Sequence, residues 1–197
     1  MKNAWKYTLA LALLAACPRA ANAAPVTYEM DPAHTFPSFQ ADHMGLSFWR
    51  GKFNRTTGTL RLDRAASSGS VEVKVDIESV DFGLDAMREQ AISPAFFDSA
   101  SFPQATYTGK LVDFIDGAPT RVTGALNLHG ITRPLDLKIN RFKCMPHPLL
   151  KRELCGADAS ATFQRDKFGL SAGKDYGFSM DVDLYIQMEA VQGGMDP

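Results

Sequence analysis

Cysteine and histidine are the side chains of this sequence that could carry metal or thiol chemistry, three of the one and four of the other. Cys144, His147 and Cys155 lie close enough in sequence to offer two thiolates and an imidazole to a zinc ion. The same cysteines flank a short loop containing Pro146 and Pro148, and could instead close a disulfide. Outside the cytosol oxidation outcompetes thiolate ligation, so the disulfide is the favoured reading. His34, His43 and His129 are scattered, without a His-x-His or HExxH pairing, and no dedicated metal or haem site is expected. No phosphate-cradling glycine loop, Cys-x-x-Cys pair or serine-nucleophile elbow is read, and Asp31, Asp81 and Asp183 form no recognisable catalytic pair. No catalytic residue is nominated.

Apolar binding is the chemistry that the composition favours. Thirteen Phe stand against five Tyr and two Trp. Period-two alternation puts Phe39, Ala41 and His43 on one face of a strand, and Trp49, Gly51 and Phe53 on one face of the next. Met87, Phe96, Phe97 and Phe102 follow in a less regular stretch, and Phe82 and Phe168 fall near strand ends. Such residues make a smooth wall without donors that a lipid tail would leave unsatisfied. Taken singly, each inward Phe is better explained as ordinary core than as a ligand wall. Their number, beside few Ile, suits a lined interior better than a filled one. His43 could bond a ligand head group at the mouth or simply a backbone carbonyl.

The elements that would position these residues are mostly strands. Val71, Val73, Val75 and Ile77 alternate with charged residues, as do Leu60 and Leu62. Val122, Gly124, Leu126 and Leu128 share a face, a turn is expected over Gly130 to Pro134, and Leu135, Leu137 and Ile139 follow. Val182, Leu184, Ile186 and Met188 form the last such face. Only Leu84 to Phe97 breaks the pattern, with Leu84, Met87 and Ala91 at helical spacing. The expected fold is all-β: an elongated eight-stranded antiparallel barrel with a short helical insertion, wide enough inside for side chains or one ligand.

The chain has 197 residues with 21 basic and 22 acidic side chains, a balance that argues against a nucleic-acid partner. Lys2 and Lys6 precede an apolar run from Tyr7 to Ala16, too short to span a bilayer and suited to an export signal. Ala21-Asn22-Ala23 offers a cleavage site, giving a signal over 1–23, one domain over 24–197 and a periplasmic address. Leu14-Ala15-Ala16-Cys17 also resembles a lipobox, with Cys17 as a lipid anchor, but Pro18 and the downstream cleavage site favour Ala23. No later run reaches membrane-spanning length, which allows only peripheral lipid exchange. Monomer and homodimer both stay open.

Three segments resemble the YceI-like family: His34 to Gly45, Phe96-Phe97-Asp98 with Phe102 to Tyr107, and Gly124 to Pro134. Phe168-Gly169-Leu170 and Val182-Asp183-Leu184 continue the match, which runs in order through most of 26–192. The resemblance implies a lipocalin-like barrel, usually periplasmic, that holds a polyisoprenoid or similar amphiphile and requires no cofactor. Where many members carry His and Arg in the helical stretch, this chain has Gln90, Ala91 and Ile92. That departure favours a neutral or weakly polar head, such as a quinone or fatty amide, over a pyrophosphate. A filled barrel acting as a structural or stress-response module, and a redox partner for quinones, are the alternatives.

Overall fold

Alternating segments become antiparallel strands in the computed structural model, which describes residues 24–194. The expected export signal and the rival Cys17 anchor lie outside the described residues. In order the elements are β1 (Val26–Met30), β2 (Phe36–His43), β3 (Ser47–Phe53), β4 (Thr56–Asp63), β5 (Ser68–Asp76) and β6 (Val80–Asp81). The helix α1 (Asp85–Ile92) follows, then β7 (Gln104–Ile115), β8 (Ala118–Leu128) and β9 (Ile131–Pro134). β10 (Leu137–Pro146), β11 (Glu153–Gln164) and β12 (Asp181–Gln192) complete the chain.

Eight strands close a ring in the order β1, β4, β5, β7, β8, β10, β11, β12, and β12 pairs back onto β1. The other four prolong its staves. β2 continues β1 along β12, β3 runs beside β2, β6 pairs β3, and β9 pairs β8 ahead of β10. Every pairing is antiparallel, so each stave neighbours the next in sequence and no crossover is needed. The twelve-residue strands β7, β11 and β12 each reach about 40 Å at roughly 3.3 Å per residue, which makes the barrel long.

Two details differ from the alternation reading. Ile77 leaves the strand face and starts a 3-10 turn, Ile77–Ser79, where it is buried. The turn expected over Gly130 to Pro134 tightens to His129-Gly130, whose φ values of 52° and 74° are those of a two-residue hairpin turn. Ile131 to Pro134 are instead strand, and Pro134 is tolerated because β9 is bonded on one side only.

The connections sort to two ends. β2–β3, the insertion between β6 and β7, His129-Gly130 and the loop after β11 stand at one end; the links β4–β5, β7–β8 and β10–β11 stand at the other. The second end is shut. Tyr28, Leu60, Leu62, Cys155 and Ala190 are at most 2% exposed there. The Tyr28 hydroxyl donates to Glu153, which also accepts from Arg64 Nη2 at 3.0 Å. Burial, with Glu153 alongside, pushes the Tyr28 phenol up to about 12. Burial opposes ionisation of Glu153, but the bonds from Tyr28 and Arg64 outweigh it and hold that carboxyl below its ordinary range. Cys144 and Cys155, directly opposite on β10 and β11 with Cα atoms 4.0 Å apart, are joined by a disulfide.

Candidate functional site

The interior of the barrel is not filled. It holds a cavity of about 630 Å³, within the range of small-molecule sites. Its depth is mainly aliphatic, with Met30, Leu60, Val71, Leu137 and Met188 among the residues that line it, beside Phe142. Nearer the other end the wall turns aromatic. Phe39 packs on Phe53 at 5.7 Å and on Phe82 at 5.6 Å, Phe53 on Phe97 at 6.0 Å, and Phe97 on Phe96 at 4.7 Å. This collar is built where β2, β3 and the insertion converge. Gly51 makes room for it, because a Cβ there would sit within 3.0 Å of the Phe39 ring.

The insertion roofs the collar. Arg88 Nε and Nη2 donate to the Glu78 carbonyl at 3.2 and 3.0 Å, pinning α1 to the 3-10 turn, and Phe97 N–H donates to the Ala91 carbonyl at 2.9 Å. The wall residues Trp49, Ala86, Gln90 and Ala172 are exposed, so the cavity reaches the surface between the β2–β3 turn, α1 and the loop after β11. That end is the mouth.

The deeper polar side chains of the wall are occupied. The Tyr107 hydroxyl donates to the Leu135 carbonyl at 2.9 Å. Arg165, 7% exposed, donates from Nη1 to Leu170 O at 2.7 Å and from Nη2 to Ala172 O at 2.8 Å, and its guanidinium lies over the Phe96 ring. Burial pulls its pKa down, with neighbouring Asp166 partly offsetting, yet a guanidinium stays charged at neutral pH. Asp166 itself bonds Lys174 at 2.7 Å, which holds its carboxyl below the ordinary range. The wall is therefore apolar, with its one buried cation turned to backbone carbonyls.

Of the residues nominated from sequence, Phe39, Trp49, Phe53, Phe82, Met87, Phe96 and Phe97 line the cavity together. Three stand outside the lining. His43 stacks on Trp49 at 4.3 Å and meets Phe178 edge-on at 5.0 Å, a rim position behind the wall. Phe102 covers the His129 ring at 4.2 Å, and Phe168, 2% exposed, packs beneath the wall against Phe163. Apart from Met87, sequence reasoning nominated no aliphatic wall residues, although the signal was available in the alternating faces Val71-Val73-Val75 and Val182-Leu184-Ile186-Met188, all of which line the cavity. Nothing in the sequence marked Arg165, because arginines at strand ends are usually solvated.

Contrary to the expectation from sequence, a Gly-x-Ser-x-Gly run is present, Gly169-Leu170-Ser171-Ala172-Gly173. A nucleophile elbow needs a strand-to-helix turn, whereas here the run follows the 3-10 turn Arg165–Phe168 and leaves Ser171 exposed on a loop. The zinc alternative meets a similar answer. Cys144 and Cys155 are bonded to each other, and His147 Nδ1 accepts the Leu149 and Leu150 N–H groups at 3.1 Å. Among the described residues no three His, Cys, Asp or Glu side chains cluster as metal ligands, and no helix is long and apolar enough to cross a membrane.

His34 takes no part in the cavity. Its Nδ1 lies 2.5 Å from Asp31 Oδ2, and that hydrogen bond raises the imidazole pKa. The pair therefore contributes in full below the ordinary histidine pKa of about 6.5 and is lost as pH rises through the raised folded value. By NMR the His34 ring should titrate above an unperturbed histidine, and Asp31→Asn should return it toward the ordinary value.

A model of the YceI-like domain matches residues 28–190, nearly the whole described barrel. The chain belongs to the YceI-like family. Among its YceI-like relatives, Protein YceI from Salmonella arizonae is 30% identical over 193 residues, covering 97% of this chain and 98% of its own. A UPF0312 protein from Vibrio vulnificus is 37% identical over 129 residues, covering 64% of this chain and 68% of its own. Two solved structures share the YceI-like fold. BcnA from Burkholderia cenocepacia aligns with a TM-score of 0.65 at 20% identity, over 82% of this chain and 99% of its own. A polyisoprenoid binding domain from Saccharophagus degradans aligns at 0.61 and 17% identity, over 85% of this chain and 99% of its own.

Proposed function

We propose that this protein is a non-enzymatic lipid carrier, holding an isoprenoid or similar long amphiphile in the barrel. The observation that carries the reading is the apolar cavity of about 630 Å³, open at one end and walled by aliphatic and aromatic side chains. Burying several hundred Å² of tail at 25 cal/mol per Å² would yield on the order of 10 kcal/mol before association costs. The Saccharophagus degradans domain of the same fold is named for polyisoprenoid binding, which lends the reading support. A neutral or weakly polar head fits best, since Arg165 already serves two carbonyls and Gln90 stands at the mouth. We further propose that the protein works after export, in the periplasm, with the signal removed after Ala23.

Organic extraction of the purified protein, followed by mass spectrometry, should release a long-chain lipid. Added polyprenol or quinone should displace a fluorescent fatty probe from the cavity. An empty extract together with failure of both added lipids to bind would sink the proposal.

A further inference from the structure

We propose that the mouth of the barrel docks on the surface of a lipid bilayer, inserting the β2–β3 turn. Ten large hydrophobic side chains are exposed among the described residues, and six stand at this one end. Four of them crowd into six positions: Met44 at 44% exposure, Leu46 at 77%, Phe48 at 49% and Trp49 at 44%. Tyr176, at 80%, lies two residues from Phe178, whose ring meets His43 in the same corner. Leu84, at 57%, opens α1 across the mouth.

The placement is not that of a mispacked core. Met44 and Gly45 both have positive φ, 55° and 71°, in a tight turn held by Leu46 N–H to the His43 carbonyl at 3.0 Å and by Gly45 N–H to the Asp42 carboxylate. A methionine is uncommon in that backbone region, and here it projects an apolar side chain outward from a rigid tip. Arg50 lies over the Phe48 ring, a position from which a long cation reaches a headgroup layer while its stem covers apolar surface. Tryptophan and tyrosine are the side chains that sit at a membrane interface.

Continuity with the cavity selects the bilayer over a protein partner. Trp49 is at once exposed on the rim and part of the wall, so a lipid entering the cavity crosses the same side chains that would touch the membrane. Charges around the rim are mixed, with Arg50 and Lys174 against Asp42, Asp85 and Asp175, so apolar contact rather than net charge must drive the docking. Docking gives the carrier of the previous subsection a route for its cargo and rests on that reading for its purpose, not for its geometry.

Trp49 is the sole tryptophan after residue 23, which makes it a direct reporter. The protein, purified as its expressing bacterium processes it and checked by intact mass, is mixed with phosphatidylcholine vesicles. We expect its tryptophan emission to shift to the blue, to be quenched by brominated phosphatidylcholine, and to change little when salt is raised. Leu46→Ser/Phe48→Ser, which alters only exposed positions, should weaken vesicle binding at least tenfold while keeping the wild-type melting temperature. Absence of quenching in the wild type overturns the proposal. So does wild-type self-association that the double variant abolishes, because a second copy would then cover the tip. Quenching without uptake of polyprenol or quinone overturns the carrier reading alone, and uptake of either without quenching overturns the docking alone.

Discussion

Ala159→Trp is expected to weaken binding of the carried lipid at least a hundredfold, about 2.7 kcal/mol, while leaving the barrel folded. Ala159 sits in the middle of β11, between Ile139 of β10 and Ile186 of β12, and all three line the cavity. An indole there occupies space that the chain's own side chains leave vacant, so the variant meets little overpacking. Filling part of a void should keep stability level or raise it. Asp158→Trp is the control, because its neighbour Asp158 is exposed on the outer face. Displacement of a fluorescent fatty probe and thermal unfolding, measured on both variants, separate a blocked cavity from a damaged fold. Unchanged lipid binding in a folded Ala159→Trp would mean that the cavity is not where the lipid resides.

Part of the wall was legible in the sequence, although Ala159 and the rest of β11 were not. Strand alternation is a strict two-residue period, so the inward faces of β5 and β12 could be read directly, and they line the cavity from its depth to the collar. The aromatic collar was legible for Phe39, Trp49 and Phe53 by the same period. It failed for Phe102 and Phe168, which lie in turns where no period applies, and for His43, where the wall ends and the rim begins. Chain closure was legible only as an expectation of eight strands. That β1 and β2 share β12, one pairing Ala190 and the other Ile186, depends on an interruption between Met30 and Phe36 that alternation does not announce. The Arg165 bonds to Leu170 and Ala172 are likewise invisible in sequence, since they need the loop after β11 to fold back over the strand end.

Removing the disulfide is expected to cost stability and leave the cavity intact. The cysteines are 11 residues apart, and on the chain-entropy account cross-linking a loop of that size stabilises by about 3 kcal/mol. For a chain of this length that corresponds to a fall in Tm of about 6–12 °C. Cys144→Ser/Cys155→Ala is the appropriate variant, because Cys155 is fully buried and a serine hydroxyl there would need a partner. The loss should exceed that of a cross-link between two already rigid strands. The Cys155 sulfur lies 3.8 Å from Arg64 Nη2, and the same guanidinium bonds Glu153, which holds the Tyr28 hydroxyl. Loosening the β10–β11 end thus also loosens the polar latch that shuts the barrel. Neither cysteine lines the cavity, so lipid affinity measured well below the lowered Tm should stay within threefold of wild type. Reducing agent should lower the Tm of the wild type and leave that of the variant unmoved. A variant that keeps the wild-type Tm would show that the β10–β11 end is held by Tyr28, Glu153 and Arg64 alone.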